Sequence, residues 1–275
     1  MVSLAQAEPA DLPPRRPAIT VRNLAKSYRS KGRGNVNALA PITFSMTEGE
    51  FVCLVGPSGC GKSTLLKILA GILQPSAGEF HIHPQGGAVA NCQIGLVFQS
   101  PVLLPWRTVL ENTLLPADAL ELDRPAMRQR AMQLLDMVGL KGFESSYPSE
   151  LSGGMQQRCS ITRALLHDPP ILLMDEPFGA LDAMTRDTMN TELQRIRLQS
   201  GKTIFLITHS ISEAVFLADR ILVMSARPGR IVDEIVPDLP DRSSLDVMST
   251  PEFGAAAHRI RRQLGIDVRD RRNVD

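Results

Sequence analysis

The residues with the clearest chemistry begin at Gly56. Gly56-Pro57-Ser58-Gly59-Cys60-Gly61-Lys62-Ser63, followed by Thr64, fits the pattern G-x-x-x-x-G-K-[ST]. Glycines at these positions let the backbone wrap so that successive N–H groups point inward at phosphate oxygens. A helix starting at Lys62 adds the partial positive charge of its N-terminus. Lys62 brings a full charge, and the Ser63 hydroxyl can ligate Mg2+. The alternative is a glycine-rich turn that binds nothing. The flanks argue against it, with an apolar run Phe51–Val55 before the loop and a helical pattern Lys62–Ala70 after it. A second constellation is the apolar run Ile171–Met174 ending in Asp175 and Glu176. At the C-terminal edge of a strand, Asp175 can help hold Mg2+ through water, and Glu176 can orient and deprotonate an attacking water. Asp-Glu-Pro can also be a plain polar turn, a reading weakened by the phosphate loop elsewhere in the chain.

Leu151-Ser152-Gly153-Gly154-Met155-Gln156-Gln157-Arg158 is the most informative stretch. Ser152 reads as the cap of a helix whose first turn holds Gly153 and Gly154, a second exposed amide end suited to an anion. Phosphate loop, this stretch and the Asp-Glu strand together resemble the ATP-binding-cassette (ABC) ATPase family, whose signature begins LSGGQ or, as here, LSGGMQQR. The resemblance covers roughly 19–236 and implies ATP and Mg2+ as cofactors. It further implies roles for residues that are bland in isolation. Gln99, ending the run Ile94–Phe98, resembles the Q-loop glutamine that touches Mg2+ and the attacking water. Gly179-Ala180-Leu181-Asp182 resembles the D-loop, and Asp182 is assigned to the nucleotide. His209 resembles the switch histidine at the γ-phosphate, and Tyr28 the aromatic that stacks on adenine. The implied set is thus Glu176, His209 and Gln99 for catalysis, and Ser63, Gln99 and Asp175 for the metal. Tyr28, Gly56 to Thr64, Ser152, Gly153, Gly154 and Asp182 are assigned to ATP. In this family the signature of one subunit closes over ATP held by another. The chain has one of each motif and no internal repeat, so the resemblance implies a homodimer formed with ATP.

These residues need a scaffold, and the pattern between them supplies one. Phe51–Val55, Ile171–Met174, Thr203–Ile207 and Ile221–Met224 are apolar throughout, as expected of strands buried on both faces of a parallel sheet. Ile19–Val21, Ile42–Met46 and Glu79–His83 read as further strands. Helical patterns occupy Arg124–Val138 (capped by Asp123), Gly154–Leu166, Met184–Gln199 and Ile211–Leu217. Thr250-Pro251 reads as a cap and first turn opening a helix to about Leu264. The expected class is α/β: a mostly parallel core sheet with an N-terminal antiparallel β subdomain and a helical subdomain, the P-loop NTPase fold of ABC ATPases. Expected divisions are a flexible lead-in over 1–17, an ATPase domain over 18–240 with its helical part at about 101–165, and a C-terminal helical extension over 241–275. The arginines Arg259, Arg261, Arg262, Arg269, Arg271 and Arg272, broken by Asp267 and Asp270, read as a solvated face or a docking surface.

Composition narrows the function. The chain has 275 residues, 43% hydrophobic and 21% charged, enough apolar material for a proper core. Thirty basic residues against 29 acidic give +1, which argues against a nucleic-acid partner gripped by bulk charge. Unbroken apolar runs reach five residues (Phe51–Val55, Ala214–Ala218), far below the roughly 20 of a membrane span. The first 17 residues do not read as a secretory signal. Cys53, Cys60, Cys92 and Cys159 lack metal-ligand spacing and read as reduced thiols of an intracellular protein. Cys60 lies inside the phosphate loop, so alkylation is expected to inhibit and ATP to protect.

A motor needs a load, and the clues to it are softer. Leu103, Leu104 and Trp106 stand in a Pro-bounded loop after Gln99, where they read either as a docking surface for a partner helix or as subdomain packing. Leu-Leu-Pro-Trp here, with Ile211-Ser212-Glu213-Ala214, Leu217-Ala218-Asp219-Arg220 and Arg227-Pro228-Gly229-Arg230, resembles the nitrate/sulfonate/taurine importer group. That resemblance implies membrane permease subunits, indirectly a solute-binding protein, and a peripheral place on the cytoplasmic face of the inner membrane. Glu150 stands where many importers have Gln, and Thr162 where Ala is usual. An exporter or lipoprotein-release ATPase, and a soluble non-transport ABC protein, are the alternatives.

Overall fold

A computed structural model describes residues 16–30, 34–83, 93–239 and 244–266. Strands β1 (Pro17–Ser30) and β2 (Gly34–Thr47) pair antiparallel, and β4 (Ala77–Ile82) joins the other side of β1 to give a three-stranded sheet of order β2-β1-β4. A six-stranded sheet has the order β5-β6-β7-β3-β8-β9. Its members are β3 (Phe51–Val55), β5 (Ile94–Val97), β6 (Ile171–Asp175), β7 (Thr203–Thr208), β8 (Arg220–Met224) and β9 (Ile231–Ile235). All its pairs are parallel except β8 with β9.

The unbroken apolar strands follow from having cores on both faces of the sheet. Because side chains alternate along a strand, Phe51, Cys53 and Val55 of β3 enter one core while Val52 and Leu54 enter the other. Ile204 and Leu206 of β7 divide in the same way from Phe205 and Ile207. The second core lies between the two sheets and takes in α1 (Lys62–Leu69) through Leu65, Leu66, Ile68 and Leu69. There Phe44 stacks on Phe205 with ring centroids 5.8 Å apart. Truncating a buried Phe of this kind costs about 3–5 kcal/mol.

The first core carries the remaining helices: α2 (Val109–Ala119), α3 (Arg124–Met137), α4 (Gly153–Leu165), α5 (Ala183–Ser200), α6 (Ile211–Leu217) and α7 (Pro251–Gln263). Helices α2, α3 and α4 sit between β5 and β6 in the chain, and no strand interrupts them. Caps set several boundaries. The side chains of Asp123, Ser152, Asp182, Ser210 and Thr250 each accept an N–H from the first turn of the helix that follows.

Three expectations need correction. Ile19–Val21 and Ile42–Met46 are only short stretches, near the start of β1 and the end of β2, of 14-residue strands. The β1–β2 ribbon changes register at several points, which breaks the alternation that would have betrayed its length. Strand β1 already starts at Pro17, inside the expected lead-in, the rest of which, apart from Arg16, lies outside the described residues. Strand β9 went unread because Asp233 and Glu234 interrupt its apolar residues.

Cys53, Cys60 and Cys159 are buried and in no disulfide; Cys92 lies outside the described residues. Among the described residues no helix is long and apolar enough to cross a membrane. Arg259 pairs with Asp233, at 3.0 Å through Nε and 2.6 Å through Nη2, and ties α7 to β9. Arg269, Arg271, Arg272, Asp267 and Asp270 lie outside the described residues.

Candidate functional site

The parallel strands β6, β7, β3 and β8 end at one edge of the sheet, the edge where open α/β sheets take ligands. A cleft of about 460 Å³ lies there, lined among others by Ser58, Gly59, Lys62, Gln99, Glu176 and His209. Gly61, Ser63 and Thr64 line it too. The loop from Gly56 to Gly61 carries the chain from β3 into α1. Gly61 caps α1 at φ 109°, with no side-chain acceptor for the helix's first N–H groups. A Cβ at Gly61 would stand 2.6 Å from Leu39 Cδ2 and 2.9 Å from the Ala38 carbonyl, so glycine is required by both conformation and space. The ammonium of Lys62 donates to the carbonyls of Gly56 (2.8 Å) and Pro57 (3.0 Å), closing the loop on itself. The amide end of α1 therefore faces the cleft with a lysine at its root, which is the equipment for holding phosphate.

Asp175, the last residue of β6, is buried, and burial raises its pKa above the usual carboxylate range, opposed by a hydrogen bond from Ser63. Its Oδ1 has no hydrogen-bond partner. A buried acid beside a serine hydroxyl, with an oxygen left over, is a donor set that would suit a hydrated Mg2+. No group of three or more His, Cys, Asp or Glu able to hold a metal alone occurs among the described residues. The metal would thus depend on the ligand's own oxygens and on water.

Glu176 has φ 46°, left-handed backbone that a Glu rarely adopts, and its N–H donates to the Ile207 carbonyl at 2.8 Å. Its Oε2 accepts from Gln99 Nε2 at 3.2 Å and lies 3.1 Å from His209 Nδ1. Gln99 follows β5 and His209 follows β7, the two neighbours of β6, so the strand order itself brings these three side chains together. A carboxylate held in this way beside a phosphate loop can take a proton from water.

Tyr28 is 41% exposed at the rim, its hydroxyl 3.5 Å from Thr64 Oγ1 and its ring below the Lys26 ammonium at 5.3 Å. Two assigned groups stand apart from the cleft. Asp182 is engaged in capping α5, accepting from Thr185 N at 3.0 Å and Thr185 Oγ1 at 2.7 Å, and those bonds hold its pKa down. Ser152 caps α4 by accepting from Met155 N at 3.3 Å, with Ser152 and Gly153 exposed. Neither Ser152, Gly153 nor Gly154 lines the cleft.

The structure removes one of the two readings of the loop after Gln99. Trp106 is 71% exposed, while Leu103 turns inward against the core, so Trp106 is not subdomain packing. The loop is held firmly: buried Asn112 accepts from Leu104 N at 2.7 Å, and Arg163 donates to the carbonyls of Val102 and Pro101. Glu150 spends its carboxylate on Tyr147 N at 2.6 Å, and Thr162 is buried with its hydroxyl on the Arg158 carbonyl. Two residues escaped the sequence reading as site groups. Gln157 of α4 donates to the Phe98 carbonyl at 3.0 Å, joining the signature helix to the backbone before Gln99. Arg227, noted only as part of a family-like run, lines the cleft.

Residues 39–179 match the family described as ABC transporter. An uncharacterized ABC transporter ATP-binding protein of Methanocaldococcus jannaschii is 44% identical over 84% of this chain and 87% of its own length. An aliphatic sulfonates import ATP-binding protein of Bacillus cereus is 46% identical over 79% of this chain and 86% of its own. Among solved structures, a dimeric post-hydrolysis state of an ATP-binding cassette bound to ADP and Pi is similar at TM-score 0.71 and 34% identity, covering 79% of this chain and 98% of that one.

Proposed function

The chain belongs to the ABC transporter family as an ATP-hydrolysing ATP-binding protein, and from that premise we propose that it powers import of a small anionic organic solute, of the sulfonate type, through separate membrane permease subunits. The observation that carries the coupling to a permease is Trp106. An exposed tryptophan on a firmly held loop, directly downstream of a glutamine bonded to Glu176, suits a docking surface that reports to the cleft. The sulfonate class is supported by the Bacillus cereus relative. Docking to the permease would place the chain on the cytoplasmic face of the inner membrane.

In this reading the phosphate chain of ATP lies on the N–H groups of the loop from Gly56 to Gly61 and the first turn of α1, with Lys62 as counter-charge and Tyr28 on the adenine. Ser63, Asp175 and Gln99 would hold Mg2+, which would supply charge neutralisation at the outer phosphates. Glu176 accepts a proton from water as its oxygen bonds to the γ-phosphorus and the bond to the β-phosphate oxygen breaks, releasing ADP and phosphate. Gln99 and His209 hold the carboxylate in line. Because Ser152, Gly153 and Gly154 stand away from their own cleft, they serve the cleft of a second copy, and Asp182 lies at the contact between copies.

The test is hydrolysis by the purified chain, alone and with candidate permease subunits in lipid. Glu176→Gln is expected to bind ATP, dimerise with it and not turn over. Trp106→Ala is expected to lose permease-stimulated turnover more than turnover of the chain alone. Vesicles loaded with ATP and bearing the complete assembly should accumulate an alkanesulfonate. A strictly monomeric Glu176→Gln at high concentration with ATP would refute the shared site.

A further inference from the structure

We propose that Arg227 is a second phosphate-binding cation of the nucleotide cleft, supplied by the turn between β8 and β9 rather than by the phosphate loop; this rests on the nucleotide reading above.

The argument starts from the sheet. The phosphate loop leaves β3, and β3 lies between β7 and β8. His209 leaves the end of β7 on one side, and Arg227 follows β8 on the other. Both line the cleft that contains Gly59 and Lys62. The cleft is therefore bracketed by basic side chains from the two neighbours of its central strand.

Arg227 is exposed, and it makes no hydrogen bond or ion pair among the described residues. The turn that carries it, in contrast, is fixed at its flanks. Ser225 N donates to the Arg230 carbonyl at 2.9 Å, and Arg230 N to Ser225 Oγ at 3.2 Å. Gly229 N donates to the Ala38 carbonyl, and its own carbonyl accepts from Ala40 N, both at 3.0 Å. A Cβ at Gly229 would lie 2.1 Å from the Cys60 carbonyl, so this turn is pressed directly on the phosphate loop. This tightly seated turn presents to the cleft a guanidinium that no protein group among the described residues engages, so it is available to a ligand bound there. A polyphosphate fits, because the planar fork of Arg meets phosphate oxygens two at a time. Lys62 already donates to two loop carbonyls, which leaves it as a point charge at the base of the loop. Arg227 supplies the directional contact at the rim.

ATP affinity is the measurement, made by titration on a Glu176→Gln background so that nothing is hydrolysed. Adding Arg227→Ala is expected to raise the ATP dissociation constant about tenfold. The difference should shrink in about 0.5 M salt, as for an exposed charge. Arg227→Lys is expected to fall between the two. Melting of the nucleotide-free protein should not change, since Arg227 holds nothing within the chain. In the hydrolysing protein the same change should raise KM and leave kcat within about twofold. Equal affinity with and without Arg227, a deficit insensitive to salt, or a lowered melting temperature would overturn the assignment. So would a loss of kcat at unchanged affinity. Failure of Glu176→Gln itself to bind ATP would overturn the nucleotide reading beneath it, an outcome distinct from all of these.

Discussion

Two helices in this molecule begin with the same local device, glycines at an amide end, and the device is completed in opposite ways. At α1 the cap is Gly61, which offers no side-chain acceptor, so the first N–H groups are left for a ligand, with Lys62 at their root. At α4 the cap is Ser152, whose hydroxyl already accepts one of those N–H groups, and the turn faces solvent outside the cleft. In the proposed reading the first is a whole anion site. The second is half of one: a donor surface without a counter-charge, useful only when something else brings the anion. The difference teaches that a helix N-terminus does not make a site by itself; what lies at its root and across from it does.

The comparison can be broken at either end. The largest effect is expected at α1. Lys62→Ala should weaken ATP binding and cut turnover by about a thousandfold, as read by nucleotide titration and steady-state hydrolysis. At α4, Gly153→Asp is the sharper probe, because a Cβ there meets nothing within 4 Å and the fold should be undisturbed. It places a negative charge where the partner's phosphate would lie, so ATP binding should persist while turnover falls about a hundredfold. Equal loss of binding would mean that the two ends are not divided in this way.

Smaller effects sharpen the contrast. Ser152→Ala removes the α4 cap and should cost about 1 kcal/mol in denaturant melts; α1 has no cap side chain to lose. Asp175→Asn is expected to stabilise the nucleotide-free chain at neutral pH. Burial raises the folded pKa of Asp175, so the folded state holds its full share of stability below the unfolded pKa and loses it as pH rises through the folded value. The advantage of Asn should therefore fade on acidification. Cys60 is only 1% exposed, so alkylation should be slow and reach the thiol only as the loop opens, with ATP slowing it further. A Cys60→Ala variant equally sensitive to alkylation would place the reactive thiol elsewhere.

Much of this was legible in the sequence because it is written locally. Gly56 to Ser63 lies on consecutive residues, β6 announces itself by four apolar residues before Asp175, and Asp123 and Thr250 cap where their residue types suggest. Gln99 and His209 are identified through family resemblance, Glu176 already by the strand that leads into it. Their convergence on one carboxylate oxygen depends on the order β5-β6-β7, a tertiary fact with no local signature. Arg227 was hidden for the same reason, since an arginine in a turn is ordinary until β8 is known to lie beside β3. Trp106 admitted two readings because an apolar side chain near a helix is equally at home in a core or on a docking face. Only its exposure separates them.

The unpartnered Oδ1 of Asp175 has a consequence for the life of the protein in a cell. A buried acid with one oxygen unpartnered costs the fold stability. Occupancy reverses this, since a ligand at about a hundred times its dissociation constant adds about 2.7 kcal/mol to the folded state. The population open to proteases then falls roughly a hundredfold. Energy supply would thus govern both how fast each copy works and how long it survives, with starved copies the first to be degraded.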